Sequence, residues 1–293
     1  MDLTLATRLL CASTQAYVIN STGPARPTLP PPVPPRSLRI GFVDAPHGYA
    51  TGLDRINAAL IGMADDGLIV AFRGTLPLTG PDIARSVLDW IADVDAPLVN
   101  DADFPGQVHQ GFRDALQELW PDVGPAITAA AQADKPIFVT GHSKGGALAN
   151  LAAMRIHAAL PAAQIVVCTF AAARSGDAAY AAAYANQIPD STRYEYPDDL
   201  VPHLPPTLPG VQILDRIPFV DGLLRDLAVG YVSVGRLQFI DTKGVVHDDF
   251  AGLEVRRLEH LAELMLTLQF QLIADDHSIS YGSGYAQAIG PGV

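Results

Sequence analysis

The sequence predicts an α/β fold, a mostly parallel sheet with helices on both faces, and three observations carry that expectation. Short apolar runs such as PIFVT and QIVVCTF have the length and β-branched content of buried strands. Stretches of helical length and period lie between them, and strands alternating with helices imply parallel pairing. Apolar residues make up 49% of the chain against 17% charged, enough for a large core and far from the composition of a disordered chain. Residues 1–293 are expected to form one domain.

The elements follow in order. MDLTLATRLLCASTQAY has an amphipathic helical pattern; its acidic second residue and Arg8 set it apart from a secretory signal, so the cytoplasm is the default compartment and secretion by another route stays open. Residues 22–37 are proline-rich and read as a stiff surface connection. AALIGMADDGLIVAFRGT reads as a hairpin turning at Asp65-Asp66-Gly67, its second strand near Leu68 to Phe72. Two helical stretches, GFRDALQELW and VGPAITAAAQAD, precede the strand PIFVT. Then come the helix KGGALANLAAMRIHAAL, the strand QIVVCTF, an alanine-rich helix at GDAAYAAAYAN and a strand at STRYEY. YVSVGRLQFIDTKGVV reads as a hairpin and residues 250–274 as one long helix.

Composition excludes several functions. A net charge of −12, with 19 Lys and Arg spread through the chain, argues against nucleic acid. Arg155 and Pro161 interrupt the richest apolar stretch, so no transmembrane segment is expected. Cys11 and Cys168 read as buried free thiols. His247-Asp248-Asp249 and Asp275-Asp276-His277 lack metal-ligand spacing, and neither a metal nor a cofactor is expected.

The chemistry is concentrated in FVTGHSKGG. Gly141-His142-Ser143-Lys144-Gly145 stands between a strand and a helix, in the G-x-S-x-G pattern of a nucleophile elbow. A chain that reverses this sharply strains the central residue, and Gly141 and Gly145 clear the space around it. Ser143 is thereby presented at the sheet edge, beside a helix N-terminus that favours negative charge. No G-x-x-x-x-G-K-[ST] phosphate loop is present.

A serine nucleophile needs a histidine base and an orienting carboxylate, in the chain order serine, acid, histidine. The histidines beyond Ser143 are His157, His203, His247, His260 and His277. His157 and His260 fall within helices and His247 reads as a turn residue. His277 opens HSISYGSGY, a loop-like segment late in the chain, and is the preferred base. The acid is sought at Asp198-Asp199, just past a strand; adjacent residues point oppositely, so one of the two faces the histidine, and spacing does not choose between them.

VAFRGT, DWIADVD, VHQGF, VTGHSKGGALA, TFAAARSGD and RYEYPDDLVPHLPP, in that order and with a late histidine, resemble the class 3 lipase family of fungal-type triacylglycerol lipases and their bacterial relatives, over roughly residues 55–288. The resemblance implies an α/β-hydrolase fold with a lid segment. It places the nucleophile on Ser143, the acid on Asp199 and the base on His277, with oxyanion donors at Thr75 and Lys144. It also implies hydrolysis of carboxylic esters, with acylglycerols as the substrate class, a lipid or small-molecule ester as the partner, and transient contact with a lipid interface. Short soluble esters, or a non-catalytic binding role, are the alternatives. Lys144 departs from the family, whose fungal members carry an apolar residue there, and reads as a solvated or ion-paired lysine. By the same resemblance residues 76–94 form a candidate lid, with Ile83, Val87, Leu88 and Ile91 on one helical face. Residues 207–230 match no family motif and form a second candidate cover.

Overall fold

The structure, a computed structural model, describes residues 4–19, 40–52, 56–75, 96–217, 230–279 and 284–289. The proline-rich stretch 22–37, the candidate lid 76–94 and residues 218–229 of the second cover lie outside these residues.

Eight strands form the main sheet in the order β1-β2-β3-β6-β7-β9-β11-β12. β1 (His47–Thr51), β2 (Asn57–Ala64) and β3 (Gly67–Phe72) are antiparallel neighbours, the last two joined by the expected Asp-Asp-Gly turn. β3, β6 (Ile137–His142), β7 (Ile165–Phe170), β9 (Ser191–Glu195) and β11 (Arg236–Ile240) run parallel, and β12 (Val246–Asp248) closes the edge antiparallel to β11. The fold class is as expected: a mostly parallel sheet of the α/β-hydrolase type. A second sheet, in the order β10-β8-β5-β4, contains β4 (Leu98–Asp101), β5 (Phe104–His109), β8 (Gly176–Asp177) and β10 (Tyr231–Val232). Residues 231–232 therefore belong to this sheet, and the late hairpin is confined to β11 and β12.

Strand periodicity divides the core. Leu68, Val70 and Phe72 join one apolar cluster while Ile69 and Ala71 join the other. The first cluster is covered by α2 (Gln110–Ala130) and α3 (Lys144–Ala159), the second by α1 (Leu5–Ala16) and α8 (Gly284–Ile289). Both faces are buried, which is why the central strands read as continuous apolar runs. α4 (Ala178–Gln187) follows β8, with Asp177 as its N-cap, and α5 (Leu208–Leu214) is capped by Thr207.

Two helical expectations are corrected. The stretches at 111–120 and 123–134 fuse into α2, which runs through Pro121 and Pro125. Both prolines are exposed and stand four apart on one face, so the carbonyls left without a helical N–H partner, those of Gln117 and Pro121, face water. The expected long helix at 250–274 is two, α6 (Leu253–Leu266) and α7 (Phe270–His277). Between them Leu268 takes a left-handed conformation at φ 59°. Its N–H reaches the Met265 carbonyl at 3.1 Å and the Gln269 N–H reaches that of Leu264 at 2.8 Å. This is a Schellman termination, usually built on glycine, and leucine in that position gave no sequence sign of it.

Candidate functional site

Ser143 joins β6 to α3 at φ 59° and ψ −130°, a backbone state rare outside glycine. Close packing holds it there. A Cβ on Gly141 would strike the Gly145 carbonyl, and one on Gly145 would strike the carbonyl of Phe72 in β3. The helix therefore starts directly against the two central strands, the close approach for which these glycines were singled out. Gly74 is equally tight: a Cβ there would meet the His142 carbonyl and come within 3.1 Å of the Ser143 Cβ. Thr75, one residue on, is thus set beside the elbow. Lys144 opens α3, so its amide belongs to the first turn, where N–H groups point out of the helix end.

The structure brings Ser143, His277 and Asp199 together. His277 Nε2 lies 3.1 Å from Ser143 Oγ and its Nδ1 lies 2.9 Å from Asp199 Oδ1. A carboxylate at Nδ1 selects the tautomer that donates there, leaving Nε2 as an acceptor for the hydroxyl proton. The Asp199 side chain is fully buried and that of His277 is 8% exposed, so these bonds form away from bulk water. His277 is the last residue of α7, not part of a loop as expected: the preceding helix fixes its backbone, and the ring projects from the helix end.

The Asp199 carboxylate is held by two further contacts, one of them braced in turn. Its Oδ1 accepts from the Val201 N–H at 3.0 Å and its Oδ2 from the Tyr285 hydroxyl at 2.7 Å, while that hydroxyl accepts from the Tyr196 N–H at 2.9 Å. Burial and the adjacent Asp199 carboxylate raise Tyr285 well above its ordinary pKa, which keeps it a donor. Asp198 points the other way, its N–H on Asp276 Oδ2 at 2.9 Å and its carboxylate 3.5 Å from His260. Only Asp199 of the pair faces the imidazole, as alternation along an extended chain requires.

A second layer comes from the far end of the sequence. His142 Nε2 lies 2.8 Å from the His277 carbonyl, so that nitrogen carries the proton and Nδ1 is left to accept from the Tyr17 hydroxyl at 2.9 Å. Burial, then the neighbouring His277, lowers His142 well below its ordinary pKa and keeps it neutral. The Tyr17 oxygen also bonds the Gly74 backbone. One phenol just past α1 thus ties the strand end at Gly74 to the elbow and, through His142, to the base. Tyr17, His142 and Tyr285 were not expected to contribute. No local pattern marks Tyr17 or Tyr285, since their value lies in contacts with residues far away in the chain. His142 stood in the quoted elbow, and its position there was the one available sign.

Lys144 Nζ lies 2.7 Å from Asn57 Oδ1, and Asn57 Nδ2 donates to Glu118 at 2.9 Å. The ammonium is therefore engaged with β2 and, through Asn57, with α2. The other histidines stand apart: His247 bonds Asp241 at 2.9 Å on the surface and His260 is half-exposed beside Asp198. Among the described residues no group of three or more His, Cys, Asp or Glu side chains is placed to hold a metal, and no helix is long and apolar enough to cross a membrane. Cys11 and Cys168 are buried and in no disulfide, and burial raises Cys168.

Comparison with known proteins gives this geometry a context. Residues 69–208 match the family described as lipase (class 3). A lipase of Caenorhabditis elegans is 33% identical over 174 residues, covering 58% of this chain and 44% of the relative. A secreted mono- and diacylglycerol lipase of Fusarium solani is 33% identical over 133 residues, covering 43% of this chain and 39% of the relative. The chain thus spans about two-fifths of the length of the relatives it matches. The lipase of Rhizopus microsporus var. chinensis superimposes with a TM-score of 0.58 at 22% identity, over 80% of this chain and 73% of that one. Lipase II of Rhizopus niveus does so at 0.56 and 20% identity, over 80% and 79%. The matched region contains the elbow and the acid loop, so over residues 69–208 the chain is similar to the class 3 lipases, and its fold is of the α/β-hydrolase type.

Proposed function

We propose that this chain is a serine carboxylic-ester hydrolase acting on acylglycerols, with Ser143 as nucleophile, His277 as base and Asp199 as its orienting carboxylate. The observation that carries the reading is the continuous relay from the Ser143 hydroxyl through His277 to Asp199, with links of 3.1 and 2.9 Å. His277 Nε2 takes the hydroxyl proton as Ser143 Oγ adds to the ester carbonyl, and the amides of Thr75 and Lys144 hold the resulting oxyanion. The tetrahedral species collapses, the C–O bond to the alcohol breaks, and His277 returns the proton to the leaving oxygen. Water then adds to the acyl-enzyme by the same route, giving the carboxylic acid and free Ser143.

Acylglycerols are favoured as substrates by the relatives, one of which is named for mono- and diacylglycerols. Contact with a lipid surface belongs to the same proposal. Ser143→Ala is expected to abolish hydrolysis of an emulsified acylglycerol and labelling by a fluorophosphonate probe; activity within tenfold of the parent would end the reading. Turnover of a short soluble ester that exceeds turnover of the emulsion would keep the reaction and reassign the substrate.

A further inference from the structure

Behind the acid loop, away from Ser143, lies a small cavity of about 50 Å³ that the hydrolytic reading does not use. Its wall includes His203, Arg174, Arg193 and Arg257. His203 is 2% exposed, and neither ring nitrogen has a hydrogen-bond partner among the described residues. An imidazole left with two orphaned nitrogens is costly, and a native interior tolerates it only where something else satisfies the ring.

The charges around the ring indicate what that is. Arg174 and Arg257 are 4% and 5% exposed, and Arg193 is partly buried. Against these three guanidinium groups stands one buried carboxylate, Glu195, which accepts from both Arg193 and Arg257. Of the other acids on the wall, half-exposed Glu254 pairs with Arg174 at 2.6 Å and Asp249 is exposed to water that screens it, so three guanidinium groups face two engaged carboxylates. Positive charge is in excess inside, and that disfavours a cation. Burial, followed by the fields of Arg257 and Arg174, lowers His203 well below its ordinary value, so the ring is neutral with one N–H to donate. The volume suits a monoatomic anion with a water and excludes a lipid headgroup.

We propose that this cavity is a binding site for a small inorganic monoanion of chloride size, held between the His203 N–H and the arginine cluster. Its consequence reaches the acid loop. Arg174 donates to the carbonyls of His203 and Pro205 at 2.8 and 3.0 Å, and Arg257 to those of Tyr196 and Pro197 at 2.9 and 3.4 Å. The two arginines thus clamp the segment carrying Asp199 at both ends. An anion that offsets their mutual repulsion steadies the clamp.

The test uses the whole chain prepared free of halide, and neither of its readouts is ester hydrolysis. Titration with sodium chloride is compared with sodium gluconate, too large for the cavity, at matched ionic strength. Tm is expected to rise saturably with chloride alone, by about 2–4 °C at ten times the dissociation constant. His203→Phe, which fills the space and removes the donor, should lose that rise. Crystals of the unaltered chain soaked in bromide should show an anomalous peak beside His203, a result that does not depend on the variant folding. Equal responses to the two salts, a chloride response retained in His203→Phe, or an empty cavity at saturating bromide would each overturn the proposal.

Discussion

At the scale of single residues, the carboxylate of Asp199 is the most heavily engaged atom group in the site, and Tyr285 is the partner whose removal is cleanest. Tyr285→Phe deletes one hydroxyl, leaves the Asp199 Oδ2 short of a bond and strands the Tyr196 N–H. Hydrogen bonds to charged groups contribute roughly 1.5–3 kcal/mol, so kcat is expected to fall about 10-fold or more. KM should stay within twofold, because the phenol sits behind the carboxylate and not on the substrate side. Steady-state kinetics on a soluble ester measures both, and an unchanged kcat would show that Val201 and His277 suffice to hold the carboxylate. The serine, the preferred histidine and a pair of candidate acids could be named from residue type, order and the glycine pattern around Ser143, and the structure brings Ser143, His277 and Asp199 together. The choice of Asp199 over Asp198 was not legible there: alternation said that one would face inward, and only the family pattern or the fold said which. Lys144 turned out to be an anchored lysine, its ammonium on Asn57, a contact that depends on β2 lying beside the elbow.

At the scale of elements, legibility followed the strength of the local signal. Strands β3, β6 and β7 were read from apolar runs bounded by turns and stand where expected, and so does α3 after the elbow. α2 was read as two helices because proline is the strongest helix breaker in sequence, yet exposed prolines at the water face leave only carbonyls that solvent satisfies. The α6–α7 break was missed for the opposite reason: Leu268 occupies a position where glycine would have announced a stop. That position makes its own prediction. Leu268 is 70% exposed and packs little, so Leu268→Gly relieves the left-handed strain at the cost of some chain entropy. The variant should be more stable by about 0.5–1 kcal/mol in denaturant unfolding, with activity unchanged. Destabilisation would mean that the leucine side chain contributes packing that outweighs its backbone strain.

At the scale of the molecule, part-buried Asp276 and buried Glu195 give stability opposite dependences on pH. Asp276 is raised to about 7, by burial first and then by its carboxylate neighbours Asp198, Asp199 and Asp275, against the Asp198 N–H that lowers it. Its folded value lies above an unfolded value of about 3.9, so its contribution is fully present below that point and is lost as pH rises through about 7. For Glu195, burial pushes upward and Arg257 with Arg193 outweighs it, holding the group down to about 2. Its stabilisation is present above an unfolded value of about 4.3 and is lost as pH falls toward 2. Tm should therefore decline on the acid side and also between about pH 5 and 8. Asp276→Asn should flatten the second decline and leave the first. A variant that keeps the parent slope between pH 5 and 8 would exclude Asp276 as its source.

The phenols at positions 17 and 285 stand at opposite extremes of the chain, and both touch the reactive centre. Closing a loop of that size is slow and entropically costly. The supports of His277 and Asp199 are therefore complete only when α1 and α8 have both packed against the sheet.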